Sequence, residues 1–307
     1  MESLLLHPPF IPMEPTPHNK PLDDDKYTSQ IKWDGVRMLL FYDGDRVILQ
    51  NRRLHDRTGQ YPELQSIKNM ITRPLVLDGE VISFKEGKPH FPTVMRRDAA
   101  RDRQQALFLM RSVPIAYQIF DILQLGSEIL LDLPWEERDQ IMRETLEGST
   151  SPFYVVDNFD SGTALFANMK ELQMEGIVQK RMNSAYLQGG KSRSWLKIKH
   201  RPRITCYIGG FTTRGQLANS LLLGLFEDNN LLYLGRAGSG LKESEWVMMT
   251  EVMNSLRTNI PPFHDPPRAK ECIWVDPLLQ VDIEYAEWTE ETKLRAPVIK
   301  SIIGVKV

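Results

Sequence analysis

Apolar and polar residues alternate with period two along Trp195-Leu196-Lys197-Ile198-Lys199. This predicts a strand with Leu196 and Ile198 on one face and Lys197 and Lys199 on the other. Val36–Tyr42 and Arg46–Arg52 flank Asp43-Gly44, a dipeptide that accepts positive φ in a tight turn, so residues 36–52 read as a hairpin. Short apolar runs predict further strands at Leu75–Leu77, ending in Asp78-Gly79-Glu80, at Ile115–Phe120, ending in Asp121, and at Ile177–Gln179. Pro134 followed by Trp135, Glu136 and Glu137 predicts a helix start, with acids near the positive end of the dipole. Ser161 to Met174 reads as a second helix, entered from an Asp160/Ser161 cap.

The texture changes beyond residue 200. Arg201-Pro202-Arg203 is a polar break, followed by strands at Ile204–Phe211, Leu221–Phe226, Leu231–Leu234 and Leu279–Tyr285. One amphipathic helix, near Glu243 to Leu256, interrupts them. Several short strands with one helix in about a hundred residues suggest a small barrel such as the OB fold. The expected organisation is therefore α+β, with a first domain over 1–200 and a second over 201–307, and a length of 307 residues suits two domains.

Composition narrows the class. Charged residues make up 25% and hydrophobic ones 41%, the balance of a folded soluble chain that needs neither disulfides nor a structural metal. The cysteines, Cys206 and Cys272, read as reduced thiols, and the proline-rich opening has no basic n-region, so a cytoplasmic protein is expected. The longest apolar run, around Leu221 to Phe226, is strand-sized, which leaves no membrane span. A net charge of −2 exerts no global pull on nucleic acid. The charge is uneven, however: Lys191, Arg193, Lys197, Lys199, Arg201 and Arg203 crowd one stretch.

Candidate chemistry centres on Gln30-Ile31-Lys32-Trp33-Asp34-Gly35-Val36-Arg37, a lysine at a strand end before an Asp-Gly turn. Taken alone, this is ordinary hairpin chemistry. Glu80 and Glu175, at strand ends, could hold Mg²⁺ beside a triphosphate, because hard cations take oxygen ligands and share them with phosphates. Phe120 offers either core packing or a face on which a base stacks. The doubly cationic face of Lys197 and Lys199 suits a strand lining a phosphate site.

The ordered set Lys-x-Asp-Gly-x-Arg, Arg52, Asp-Gly-Glu, Phe-Asp, Glu-Gly-Ile-Val and Trp-Leu-Lys-Ile-Lys resembles the nucleotidyltransferase motifs of ATP-dependent DNA ligases. The text around them is similar to the ligase domain of bacterial end-joining ligases. Tyr61-Pro62-Glu63-Leu64, Arg96-Arg97, Tyr233-Leu234-Gly235-Arg236-Ala237-Gly238-Ser239-Gly240, Tyr285-Ala286-Glu287-Trp288-Thr289 and Leu294-Arg295-Ala296-Pro297 carry that likeness, from about Pro12 to Lys300. The resemblance implies an ATP-grasp-like nucleotidyltransferase domain of antiparallel sheets and helices, followed by an OB-fold barrel that swings about Arg201–Arg203.

It also implies roles. Lys32 would attack the α-phosphate of ATP to form lysyl-AMP. A free lysine has a pKa of about 10.4, so its nucleophilicity needs cationic neighbours that disfavour the proton. Gln30, Ile31, Arg37, Arg52, Glu80, Phe120, Lys191, Lys197 and Lys199 would bind ATP. Glu80 and Glu175 would hold Mg²⁺, with Mn²⁺ as a substitute. Arg96, Arg97, Arg193, Arg201, Arg203 and Arg236 would contact DNA. Nicked or broken duplex DNA is the implied substrate, an end-bridging protein such as Ku an implied partner, and the monomer the expected state.

Three positions depart from the pattern. Gln30 replaces a glutamate that accepts from adenine N6, Lys191 replaces an arginine, and the ending Lys300 to Val307 lacks Arg-x-Asp-Lys, with Lys300 and Lys306 as stand-ins. RNA ligases and GTP-using capping enzymes share the lysine motif; the second-domain text favours DNA. NAD-dependent ligases usually bear a four-cysteine zinc site, which two distant cysteines cannot supply. A non-catalytic DNA-end binder that kept the fold is the alternative from another class, and the presence of Lys32, Glu80, Glu175, Lys197 and Lys199 speaks against it.

Overall fold

The computed structural model describes residues 6–267, 272–286, 288–289 and 291–305; Glu287, Lys306 and Val307, named above, lie outside the described residues. The chain divides into two compact units, Met1–Lys199 and His200–Val307.

In the first unit the main strands are β1 (Glu14–Pro17), β2 (Tyr27–Ile31), β3 (Val36–Tyr42), β4 (Val47–Asn51), β5 (Leu75–Lys85), β6 (Ile115–Leu125), β7 (Gly176–Arg181) and β8 (Lys191–Lys199). One sheet has the antiparallel order β4-β3-β5-β6, and the other the order β1-β8-β7-β2 with only β1 parallel. Strand alternation then sorts the side chains into layers. Met38, Leu40, Leu77 and Ile119 face an outer core shared with Val94 of α1 (Phe91–Asp98) and Met142 of α3 (Trp135–Thr145). Leu39, Phe41, Val76 and Leu123 face the second sheet and pack with Trp195, Tyr186 and Trp135. On the far side of that sheet, Ile177, Leu196 and Ile198 are covered by Leu165 and Met169 of α4 (Gly162–Glu171).

The hairpin forms as predicted, and the two helices start where the proline of one and the serine cap of the other placed them. Pro134 stands at the N-cap of α3, and the Ser161 hydroxyl accepts from Ala164 N at the head of α4. Two expectations need correction. Asp78-Gly79-Glu80 and Phe120-Asp121 do not terminate strands; they lie inside β5 and β6. The strands continue through buried aspartates because each is neutralised: Arg37 clasps Asp78 and Arg138 clasps Asp121. Between β5 and β6, α1 is followed by α2 (Arg103–Ser112), in a region where the sequence pattern showed no element.

The second unit comprises β9 (Arg203–Arg214), β10 (Leu217–Glu227), β11 (Asn230–Ala237), α5 (Glu243–Ser255), β12 (Ile273–Val275), β13 (Leu279–Glu284) and β14 (Val298–Val305). β9 is central and pairs with β10, β12 and β13, while β11 joins β10 and β14 joins β13. Cys206, Ile208, Phe211, Leu223 and Val281 form its core with Met249 and Met253 of α5. This is the sheet-and-helix arrangement of the OB fold. Both cysteines are free, Cys206 buried and Cys272 half-buried.

Candidate active site

Lys32 follows β2 directly, and its backbone N–H donates to Gly176 O at 3.0 Å, which ties it to the start of β7. That tie needs glycine: Gly176 has φ +144°, and a Cβ there would collide with the backbone carbonyl of Ile198. Gly35 is required for a different reason, since a Cβ there would strike the Val81 carbonyl. Both motif glycines thus let backbone pass close to backbone and bring Lys32 to Glu175.

Glu175 grips two cations. Its Oε2 lies 2.5 Å from Lys32 Nζ, and its Oε1 accepts from Lys199. Lys197 stands on the same face of β8 as Lys199 and pairs in register with Val178 of β7, which pairs in turn with Gln30 of β2. Burial, then the charges of Lys199, Lys32 and Arg52, lower the pKa of Lys197. Glu80 faces this cluster from β5. Burial pushes its carboxyl up to about 8, with Lys32 and Arg37 opposing the rise and Glu175 and Asp78 adding to it. Three ammonium groups, of Lys32, Lys197 and Lys199, and two carboxyl groups, of Glu80 and Glu175, thus converge at the edge of two sheets, a setting suited to a polyphosphate.

Phe120 lies at the same edge, half-buried, with its ring edge-on to Trp195 at 6.0 Å between centroids. Below it sits Lys180, whose Nζ donates to Phe120 O at 2.6 Å and lies 4.2 Å from the Trp195 ring centroid and 4.6 Å from that of Phe120. Burial pulls this lysine down to about 8, against the opposing pull of Asp121 and Asp78.

Arg37 departs from expectation. Its Nε and Nη2 donate to Asp78 Oδ1 and Oδ2 at 2.9 and 2.6 Å, and its Nη1 donates to Met13 O at 2.6 Å. Tyr186 Oη completes the group by donating to Asp78 Oδ2 at 2.7 Å. The guanidinium is committed to a buried carboxylate, so in this structure it is an architectural residue of the cleft wall rather than a free phosphate ligand. Arg52 is accessible: its side chain is 60% exposed and pairs with Glu14 at 2.5 Å. Lys191 is exposed at the start of β8, in register with that same Glu14. Ile31 points away from Lys32 and packs into the core beneath α4.

Among the arginines expected on DNA, Arg97 is a correction. It is fully buried on α1 and donates to Glu63, Gln60 O and Ala106 O. The helix period explains this, because Arg97 shares the inward face with Val94, while adjacent Arg96 is exposed. Arg193 and Arg236 are exposed, and Arg201 and Arg203 are exposed in pairs with Glu284 and Asp282 at 3.3 and 3.4 Å. A cavity of about 480 Å³ lined by Thr58, Gln60, Pro62, Arg101 and Arg103 contains none of the residues that meet at Lys32.

The family model for the ATP dependent DNA ligase domain matches residues 17–199, and the one for the ATP dependent DNA ligase C terminal region matches residues 214–303. The chain belongs to the ATP-dependent DNA ligases. Within that family it is 32% identical over 273 residues to the multifunctional non-homologous end joining DNA repair protein LigD of Mycobacterium tuberculosis, covering 86% of this chain and 34% of the relative. A DNA ligase of Methanocorpusculum labreanum is 30% identical over 225 residues, 69% of this chain and 40% of the relative. Among solved structures, a mycobacterial DNA ligase D complexed with ATP and MES is 30% identical, with a TM-score of 0.57 over 97% of this chain and 96% of that one. This ligase chain spans about a third of the length of the LigD relatives it matches.

The sequence pattern gave no role to several residues around this candidate site. Asp78, Tyr186, Val178, Lys180 and Asn158 received no role from it, yet all line or support the cleft. For Asp78 a signal existed: it stands two residues before Glu80 on one strand and so shares its face.

Proposed function

We propose that the chain seals breaks in duplex DNA by adenylating itself on Lys32. The observation that carries the reading is the grip of Glu175 on Lys32 beside Lys199 and Lys197. It presents one amine, with a carboxylate at its proton, to a site otherwise furnished to take phosphate charge. In the first step Lys32 Nζ attacks the α-phosphorus of ATP, a P–N bond forms, and pyrophosphate leaves. Glu175 is the base nearest the departing ammonium proton. Lys197 and Lys199 neutralise charge growing on the α-phosphate oxygens, an electrostatic contribution made by groups already in place. The adenine stacks on Phe120, with Val178 across the cleft. An oxygen of the DNA 5′-phosphate then attacks the same phosphorus and releases the lysine. The 3′-hydroxyl finally attacks the activated 5′-phosphate and expels AMP.

Glu80 and Glu175 would offer the hard oxygen donors that Mg²⁺ or Mn²⁺ takes, with Glu80 giving up to the cation the proton that burial otherwise holds on it, and two carboxylates suffice for an ion that keeps its waters and shares substrate phosphates. When bound, such an ion offsets phosphate charge. Arg52 and Lys191, accessible beside Glu14, are placed to meet the triphosphate or the 5′-phosphate. Arg96, Arg193, Arg201, Arg203 and Arg236 supply cations for the DNA backbone. The end-joining names of the mycobacterial relatives support broken ends as the substrate, and a monomer acting with an end-bridging protein such as Ku completes the proposal. Among the described residues no helix is long and apolar enough to cross a membrane.

The test is incubation with α-labelled ATP and Mg²⁺, in parallel with Lys32→Ala, followed by nicked duplex DNA. A label that needs Lys32 and discharges as the nick closes is the expected result. A label that nicked RNA discharges and nicked DNA does not would move the assignment to RNA ligation. No label on folded protein free of prior AMP would leave a non-catalytic end binder.

A further inference from the structure

Gln30 lies two residues before Lys32, so strand alternation puts both side chains on the cleft side of the second sheet, opposite Ile31. A glutamine here is ambiguous in principle: a half-turn of its terminal amide exchanges an acceptor for a donor. A chain of hydrogen bonds removes the ambiguity. Arg143 Nε donates to Asp139 Oδ2 at 2.8 Å, and Arg143 Nη2 is anchored on Val156 O at 2.8 Å. The Asp139 carboxylate only accepts, so Asn158 must turn its Nδ2 toward it, at 2.7 Å. That leaves Asn158 Oδ1 facing Gln30, which must answer with Nε2, at 2.8 Å. The loop carrying Asn158 is fixed beside Gln30 by paired backbone bonds between Ser29 and Phe159, both 2.9 Å. Gln30 Oε1 is the atom turned away from this relay. The Gln30 side chain is buried, so the orientation is not averaged by water.

We propose that Asn158, oriented by Asp139 and Arg143, is a positioning residue that locks Gln30 as an acceptor for the 6-amino group of adenine and so makes the site discriminate against 6-oxo purines. This rests on the adenylation reading above. A fixed carbonyl attracts the exocyclic amine of ATP and repels O6 of ITP, whereas an amide free to turn meets either base with a matching group. The relay thereby restores to a glutamine the one-way polarity that a glutamate has by charge.

The experiment measures ATP and ITP binding by displacement of a fluorescent nucleotide, using full-length chain carrying Lys32→Ala so that no chemistry intervenes. In the Gln30 background, Asn158→Leu is expected to lower the ITP-to-ATP ratio of dissociation constants about tenfold, the scale of one well-made hydrogen bond. Asp139→Asn, whose amide can donate and lets Asn158 reverse, is expected to lower it by a second route. With Gln30→Glu, which only accepts, Asn158→Leu is expected to leave the ratio unchanged. A ratio that Asn158→Leu does not move, or equal weakening of both nucleotides in both backgrounds, overturns the proposal. Failure of the folded parent to bind either nucleotide overturns the adenylation reading itself.

Discussion

Arg37→Met removes one half of a buried ion pair, and its consequence can be worked from the geometry. Asp78 is fully buried and takes two hydrogen bonds from the guanidinium, at 2.9 and 2.6 Å. Without them the carboxylate keeps the Tyr186 hydroxyl as its remaining donor. Stranding a buried charge in this way costs about 3–5 kcal/mol, and the Tyr186 bond places this case near the lower end. For a unit of this size each kcal/mol shifts Tm by roughly 2–4 °C, so a loss of about 6–12 °C is expected. The double variant Arg37→Met/Asp78→Leu removes both charges and is expected to recover to within about 1 kcal/mol of the parent. Arg52→Ala is the contrast. Its pair with Glu14 is as short, but the arginine side chain is 60% exposed, so a change below about 1 kcal/mol is expected. Thermal unfolding followed by circular dichroism, with the three variants beside the parent, measures all of this. A single Arg37→Met variant as stable as the parent, or a double variant no better than the single, would refute the view that this arginine is committed to Asp78.

Lys32→Ala should abolish the AMP adduct with its Tm unchanged within a few degrees, and any residual labelling would remove Lys32 as the nucleophile. Lys180 is held near 8 when folded, against 10.5 for a lysine of the unfolded chain. Between those values the unfolded chain binds the proton that the folded one has lost, so stability should rise as pH climbs from about 8 to 10.5. Lys180→Met should flatten that rise; an unchanged pH profile of Tm would show that burial does not depress this lysine. Arg97→Ala should cost about 3 kcal/mol, because it strands Glu63 and two carbonyls, while Arg96→Ala leaves stability unchanged. DNA affinity, measured by anisotropy, should fall steeply and log-linearly with salt as counterions are released. A flat dependence would count against duplex DNA as the ligand.

Local patterns along the chain were enough to specify the parts whose physics is local. The Asp43-Gly44 hairpin, the proline-led start of α3 and the capped start of α4, the two-faced strand at Lys197 and Lys199, and the α+β class with an OB-fold second half were legible because turns, helix starts and strand parity depend on near neighbours. The order of the ligase motifs was legible as well, which is why Lys32 and Glu175 could be singled out from the sequence. What tertiary structure decided were the questions of partnership. No local rule says that Asp78 and Asp121 stay inside their strands; that depends on Arg37, forty-one positions away, and on Arg138, seventeen away, arriving to neutralise them. Nor does a run of Arg96-Arg97 disclose that one arginine is buried, since the core that covers it is assembled from Gln60, Glu63 and Ala106. The polarity of Gln30 is the clearest instance. Its side chain is symmetric in shape and ambiguous in hydrogen bonding, and only a relay ending on the carboxylate of Asp139 and the cation of Arg143 says which end faces the cleft. Charge neutralisation and hydrogen-bond direction are properties of pairs brought together in space, and a linear pattern contains the members without the pairing.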